Sequence, residues 1–156
     1  MMPVTITIDD RLPLKKDKIG KPFFAKVGRD LSLWSPLFEK AFAKLHGSYD
    51  TMWAGNTNEA LNTIAGAPGY SIETIDHDDD SLWELLSHQD ANWAMITMGG
   101  VDSENDIDLV NNHAYSFIRT IRLSDGTRLV QVRNPWGTEK YSGPWSDTEV
   151  PTRWTE

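Results

Sequence analysis

His113, in Asn112-His113-Ala114-Tyr115-Ser116, and Asn134, in Asn134-Pro135-Trp136-Gly137, are the residues of this chain whose types could do chemistry together. In a Cys-His-Asn triad a thiol is the nucleophile, the imidazole takes its proton, and the asparagine holds the ring in one orientation. The 156 residues contain no cysteine. Base and orienter are present and the nucleophile is not, so the chain reads as part of a catalytic machine rather than the whole.

The other three histidines have plainer readings. His46 closes a helical pattern, where a positive charge suits the C-terminal dipole. His77 lies among aspartates and His88 near a helix end. His113 differs because it starts a strand after a polar loop, beside the small Ala114. At the other site, Pro135 disfavours a helical conformation in the residue before it and so holds Asn134 extended. Trp136 can cover an asparagine–imidazole hydrogen bond, which strengthens when water is excluded. Gly137 lets the backbone turn beneath the indole. A plain Pro-Gly turn over a buried tryptophan would explain three of these four residues, but not the asparagine.

The elements that must bring the two residues together are strands. Tyr115 to Leu123 and Arg128 to Arg133 flank Ser124-Asp125-Gly126-Thr127, where Asp-Gly is a strong hairpin signal. With Asp125-Gly126 as a two-residue loop, Asn134 falls opposite Phe117. His113 and Phe117 share a face, because side chains alternate along a strand. Four residues at a rise of about 3.3 Å nevertheless separate them too far for a direct bond. A bulge, a strong twist or another register has to close that gap.

Elsewhere, Val4 to Ile8 and Tyr70 to Ile75 alternate as half-buried strands should, and Trp93 to Met98 predicts an apolar strand. A short extended piece is expected around Phe23-Phe24. From Ser32 to Leu45, the residues Trp34, Leu37, Phe38, Ala41, Phe42 and Leu45 form one helical stripe to be buried, with Glu39, Lys40 and Lys44 outside it. Ser32 is the expected N-cap and Gly47 the C-terminal stop. A shorter helix is predicted over Thr57 to Ile64, ending at Gly66, and another capped by Ser81 and running through Leu86. Gly55 and Asn56 could hinge two packing units.

Composition narrows the function classes. With 39% hydrophobic residues, seven Trp, five Phe and four Tyr, the chain can build a core. The net charge of −8, from 23 acidic against 15 basic residues, argues against a nucleic-acid partner. No apolar run approaches the roughly 20 residues of a membrane helix, and no signal peptide is visible. The lack of cysteine excludes disulfides and fits a reducing, cytoplasmic setting. Acidic stretches at Asp76 to Asp80 and Asp102 to Asp108 read first as solvated surface. The second is not an EF-hand loop, because Ile107 stands where glycine is required and His113 where the bidentate glutamate would be.

The chain resembles the calpain family of cysteine proteases. The resemblance rests on Ile8-Asp9-Asp10-Arg11-Leu12-Pro13, on Leu33 to Tyr49, and on Thr57-Asn58-Glu59-Ala60-Leu61. It continues in order through His113-Ala114-Tyr115-Ser116, Arg133 to Gly137 and Gly143-Pro144-Trp145-Ser146-Asp147. It implies an α+β fold, a fragment of a papain-like core with the active site between two subdomains. Residues 1–55 would be the helical tail of the first, cysteine-side subdomain. Residues 56–156 would be an antiparallel-β-rich second subdomain, cut before its last segments. By the same resemblance His113 is the general base, Asn134 its orienter and Trp136 the shielding indole. The partners would be a protein or peptide substrate and a cysteine-bearing segment in the same or another chain.

Two positions depart from the family's pattern. Asn112 stands where glycine is common. Calcium, which the second subdomain binds in this family, would be held by Asp147, but the companion carboxylate aligns with Lys140, beside Glu139. A lysine cannot serve an ion that takes about six to eight oxygen ligands. The leading expectation is the His/Asn-bearing portion of a calpain-type endopeptidase, inactive alone. The alternative is a non-catalytic, calpain-like module that binds a peptide or protein. A free-standing hydrolase using Ser116 is disfavoured, because no serine lies in a nucleophile elbow.

Overall fold

A computed structural model describes residues 3–18, 20–100 and 109–148. The chain divides into two compact units, Met1–Asn56 and Thr57–Glu156.

The first unit is organised on helix α1, Trp34–His46, which ends at Gly47 with φ +103°. Ser32 does not cap it. Its N–H is taken by the Asp30 carboxylate at 3.1 Å and its carbonyl by the Gly28 N–H at 3.0 Å, so Leu33 fills the cap position with no side-chain bond. The apolar stripe is also corrected: Pro36 and Ala43 are buried, whereas Trp34, Phe38 and Leu45 are 71%, 48% and 42% exposed. The polar side chains do the fastening instead. Lys40 pairs with Asp9 and donates to the Arg11 carbonyl at 2.5 Å, and Lys44 donates to the Thr7 carbonyl at 2.6 Å. Glu39 accepts the Ala25 N–H at 2.9 Å. The segment expected as a strand, Val4 to Ile8, belongs to no β-strand. Within this segment the Thr7 carbonyl accepts from Lys44 rather than from a neighbouring strand. Phe23 and Phe24 lie beside a single bridge, Leu14 to Pro22, and the Phe24 ring stacks on Tyr49 at 4.4 Å.

The second unit opens with α2, Thr57–Ala65, which ends at Gly66 (φ +67°). Tyr70 to Ile75 is not a strand; it runs without regular structure into a short 3-10 turn at Thr74–Asp76. Helix α3 is longer than expected, Asp79–Ala91, and starts earlier because Asp78 is the cap, accepting the Ser81 N–H at 2.7 Å. The Ser81 hydroxyl also reaches the Asp78 carbonyl, at 3.1 Å. Past α3 the chain leaves through Trp93 in a left-handed conformation, φ +59°, with its indole exposed. The following strand, β1, therefore shortens to Thr97–Gly99. The Thr97 hydroxyl meets that of Thr57 at 2.6 Å, tying β1 to the start of α2.

Strands β2, Ala114–Arg122, and β3, Arg128–Arg133, complete an antiparallel sheet of order β1-β2-β3. With three helices and three strands among the described residues, the α+β class holds. No helix among them is long and apolar enough to cross a membrane.

The hairpin turn is not the expected two-residue loop. Arg122 pairs with Arg128, and the Leu123 N–H reaches the Thr127 carbonyl at 2.9 Å, which leaves Ser124, Asp125 and Gly126 in the loop. Gly126 has φ +90°, the left-handed position of a three-residue hairpin loop. A β-bulge then breaks the ladder between Phe117 and Arg119, so that Ser116 pairs with Arg133 and Phe117 with Val132.

The Asp78 cap gives a pH prediction. Hydrogen bonds from the backbone and side chain of Ser81 lower the Asp78 pKa below its ordinary 3.8. A carboxylate lowered on folding contributes stability above its unfolded pKa and loses it as pH falls through the folded value. Asp78→Asn, which caps without titrating, is expected to lag wild type in thermal midpoint near neutral pH. The gap should close below about pH 3.8, followed by circular dichroism across an acid series.

Candidate active site

The revised register decides where Asn134 falls. Along the loop half of the hairpin, Thr120 faces Val130 and Ile121 faces Leu129. Continued unbroken, that register would set Asn134 opposite Ser116, on the face away from His113. The bulge adds one residue to β2, and the pairing of Ser116 with Arg133 carries Asn134 opposite Tyr115 instead. Tyr115 shares a face with His113 two residues away, a diagonal separation that side chains can span. Two exposed residues in succession, Ile118 and Arg119, mark the parity change.

The outcome is a hydrogen bond of 2.9 Å between His113 Nε2 and Asn134 Oδ1. Trp136 fixes the amide's orientation. Its backbone N–H donates to the same Oδ1 at 3.0 Å, so a flipped amide would set its NH2 against a donor. An amide oxygen only accepts, so Nε2 carries a proton, and in the neutral ring Nδ1 is the nitrogen with the lone pair. The Asn134 carbonyl accepts the Gly137 N–H at 3.0 Å, closing a turn with Pro135 at its second position and Gly137 at φ +73°. The Asn134 Nδ2 is buried without a hydrogen-bond partner among the described residues.

Aromatic rings hold the imidazole on two sides. The Trp136 indole lies 4.3 Å away at 41°, and the Tyr115 ring meets it edge-on at 5.0 Å. Trp136 remains 48% exposed, so the indole lies against the imidazole while much of its own surface stays open to solvent. Tyr115 is buried, and its hydroxyl accepts the Val110 N–H at 2.9 Å. The His113 carbonyl accepts the Gly100 N–H at 2.8 Å. A Cβ on Gly100 would come within 2.6 Å of the Val110 carbonyl, so only glycine fits there. Tyr115 and Gly100 escaped the sequence reading. The two-residue spacing of Tyr115 from His113 was the available signal for the first.

Asn112 adopts φ +50°. That left-handed conformation accounts for glycine being common there in the family the sequence resembles, and asparagine is among the few side chains that tolerate it. Ser116 is exposed and, by strand alternation, projects from the face opposite His113.

The proposed calcium ligand does not find company. The Asp147 N–H is bound by the Glu139 carboxylate at 2.9 Å, and no group of three or more acidic, histidine or cysteine side chains among the described residues could hold a metal. Lys140, at the position of the companion carboxylate, offers no oxygen ligand. The acidic loop Asp102 to Asp108 lies outside the described residues.

Comparison with known proteins places this geometry in context. The sequence profile of the calpain family cysteine proteases matches residues 2–156. The chain is 34% identical to mouse calpain-12 over 98% of its own length and 22% of that protein. It is 37% identical to the calpain-type cysteine protease ADL1 of Oryza sativa subsp. japonica, over 98% of this chain and 7% of the relative. Human calpain-12 is 34% identical over 92% of the chain and 20% of its own length. The chain thus spans less than a quarter of the length of these relatives.

The left-handed residue before the histidine yields a stability prediction. Asn112→Gly is expected to fold as well as wild type or better. Asn112→Val should lose about 1–2 kcal/mol, because a Cβ-branched side chain is penalised in that conformation. Urea unfolding of the three proteins measures the difference.

Proposed function

We propose that this chain, which belongs to the calpain family of cysteine proteases, supplies the base half of an endopeptidase site whose thiol comes from elsewhere. The observation supporting this most strongly is the Nε2-to-Oδ1 hydrogen bond, fixed by the Trp136 N–H. It leaves His113 Nδ1 as the lone-pair nitrogen, free to take the proton of a cysteine thiol. The thiolate attacks a peptide carbonyl, and the same nitrogen returns the proton to the leaving amine. Asn134 keeps the ring in the required tautomer and orientation. Trp136 excludes water from one side of their bond.

In this reading residues 1–55 are the tail of the cysteine-side subdomain and residues 56–156 the His/Asn-bearing one. The exposed apolar stripe of α1 supports a cysteine-bearing partner segment, because Trp34, Phe38 and Leu45 present a helix face with apolar surface to bury. The substrate class is polypeptide, and a cysteine-free composition suits work in the reducing cytoplasm. No step runs through calcium. A purely binding, non-catalytic calpain-like module would be content with a missing thiol. It has no use for an imidazole locked in one tautomer.

The purified chain alone is expected to leave an unstructured protein substrate intact, since a base without its thiol forms no acyl-enzyme. Combined with a cysteine-bearing calpain segment, it should cleave that substrate, and His113→Ala should lower the rate by about 10²–10⁴-fold. Turnover by the chain alone that His113→Ala abolishes, or combined turnover indifferent to His113→Ala, would contradict the reading.

A further inference from the structure

The bulge at Ile118 is held from two directions. On the site side, β1 fixes β2 through the pairs Thr97–Ser116, Met98–Tyr115 and Gly99–Ala114. On the loop side, β1 has ended, and the outer edge of β2 is covered by α3. There the Asp90 carboxylate accepts both the Thr120 N–H, at 2.7 Å, and the Thr120 hydroxyl, at 2.9 Å. Trp83, on the same helix, lies 5.7 Å from the guanidinium groups of both Arg122 and Arg128, and Arg128 pairs with Asp80 at 2.7 Å.

Four residue steps separate Ser116 from Thr120 on β2, but only three separate their partners Arg133 and Val130 on β3. The surplus residue cannot anneal unless one half of β2 slides by one position. Sliding the site half breaks its ladder to β1. Sliding the loop half pulls Thr120 off Asp90 and reverses the direction of the N–H that the carboxylate accepts, because successive N–H groups point to opposite sides of a strand.

We propose that Asp90 is a positioning residue for the His113–Asn134 pair: by anchoring Thr120 it preserves the bulge that sets both side chains on one face. This rests on the catalytic reading above for its purpose, but its test does not depend on peptidase activity. Asp90 touches neither side chain and acts through Thr120, the bulge and the register.

The experiment follows the His113 ring proton of the full chain by 15N-edited NMR, in wild type, Asp90→Ala, Asp90→Asn and Asn134→Ala. In Asp90→Ala, exchange of the Nε2 proton with solvent should accelerate by about tenfold or more, the factor corresponding to loss of one charge-assisted hydrogen bond. Its tautomer signal should move toward that of Asn134→Ala. Asp90→Asn keeps an acceptor oxygen and should restore most of the wild-type behaviour. Thr120→Val, which removes only the hydroxyl bond, should shift exchange in the same direction by less, and it decides the matter if Asp90→Ala fails to fold. Wild-type exchange and tautomer in a folded Asp90→Ala, or in Thr120→Val where Asp90→Ala does not fold, would overturn the proposal. That result would leave the catalytic reading standing, since Asn134→Ala reports on the pair itself.

Discussion

One extra residue in a strand governs this molecule. Side chains alternate, so a hairpin that pairs without interruption can set His113 and Asn134 together only in every second register. The three-residue loop Ser124-Asp125-Gly126 starts the ladder in a register that would separate them. The bulge between Phe117 and Arg119 restores the parity, and it shortens the cross-strand separation to a diagonal neighbour. Bulges commonly re-aim a side chain next to a functional site. Here the pair of interest exists only because of one.

Given that placement, the rest of the site is hydrogen-bond logic. A single oxygen, Asn134 Oδ1, lies between two donors, the Trp136 N–H and His113 Nε2. The backbone donor cannot change its nature, so it dictates the amide orientation, and the amide dictates the tautomer. Pro135 and Gly137 shape the turn that aims the Trp136 N–H. A neutral amide can do this without adding a negative charge beside the base. Tyr115, buried and bonded to Val110, backs the ring from its own strand, and the Gly100 N–H fixes its backbone.

The sequence made the hairpin legible through alternation and Asp-Gly, and it marked His113, Asn134 and Trp136 by their neighbours. The register was not legible, because Asp-Gly serves a two-residue loop and a three-residue loop equally well. A sign of the bulge was present: Phe117-Ile118 breaks the alternation on β2. The segments Val4 to Ile8 and Tyr70 to Ile75 alternate but form no strands, since strand formation depends on partners that local sequence does not supply. Helix α1 formed where its spacing required, yet Trp34, Phe38 and Leu45 of its apolar stripe stand exposed while Lys40 and Lys44 make its fastenings. Periodicity identifies an apolar face; it does not say which neighbour covers it.

The most direct measurement is the 15N spectrum of the His113 imidazole in the wild-type chain, with a correlation across the hydrogen bond to the Asn134 side-chain carbonyl. The structure predicts a ring that carries a proton on Nε2, coupled through that proton to the Asn134 carbonyl, with Nδ1 the bare nitrogen in the neutral form. A ring protonated at Nδ1 alone, or an Nε2 proton with no coupling to Asn134, would contradict the account.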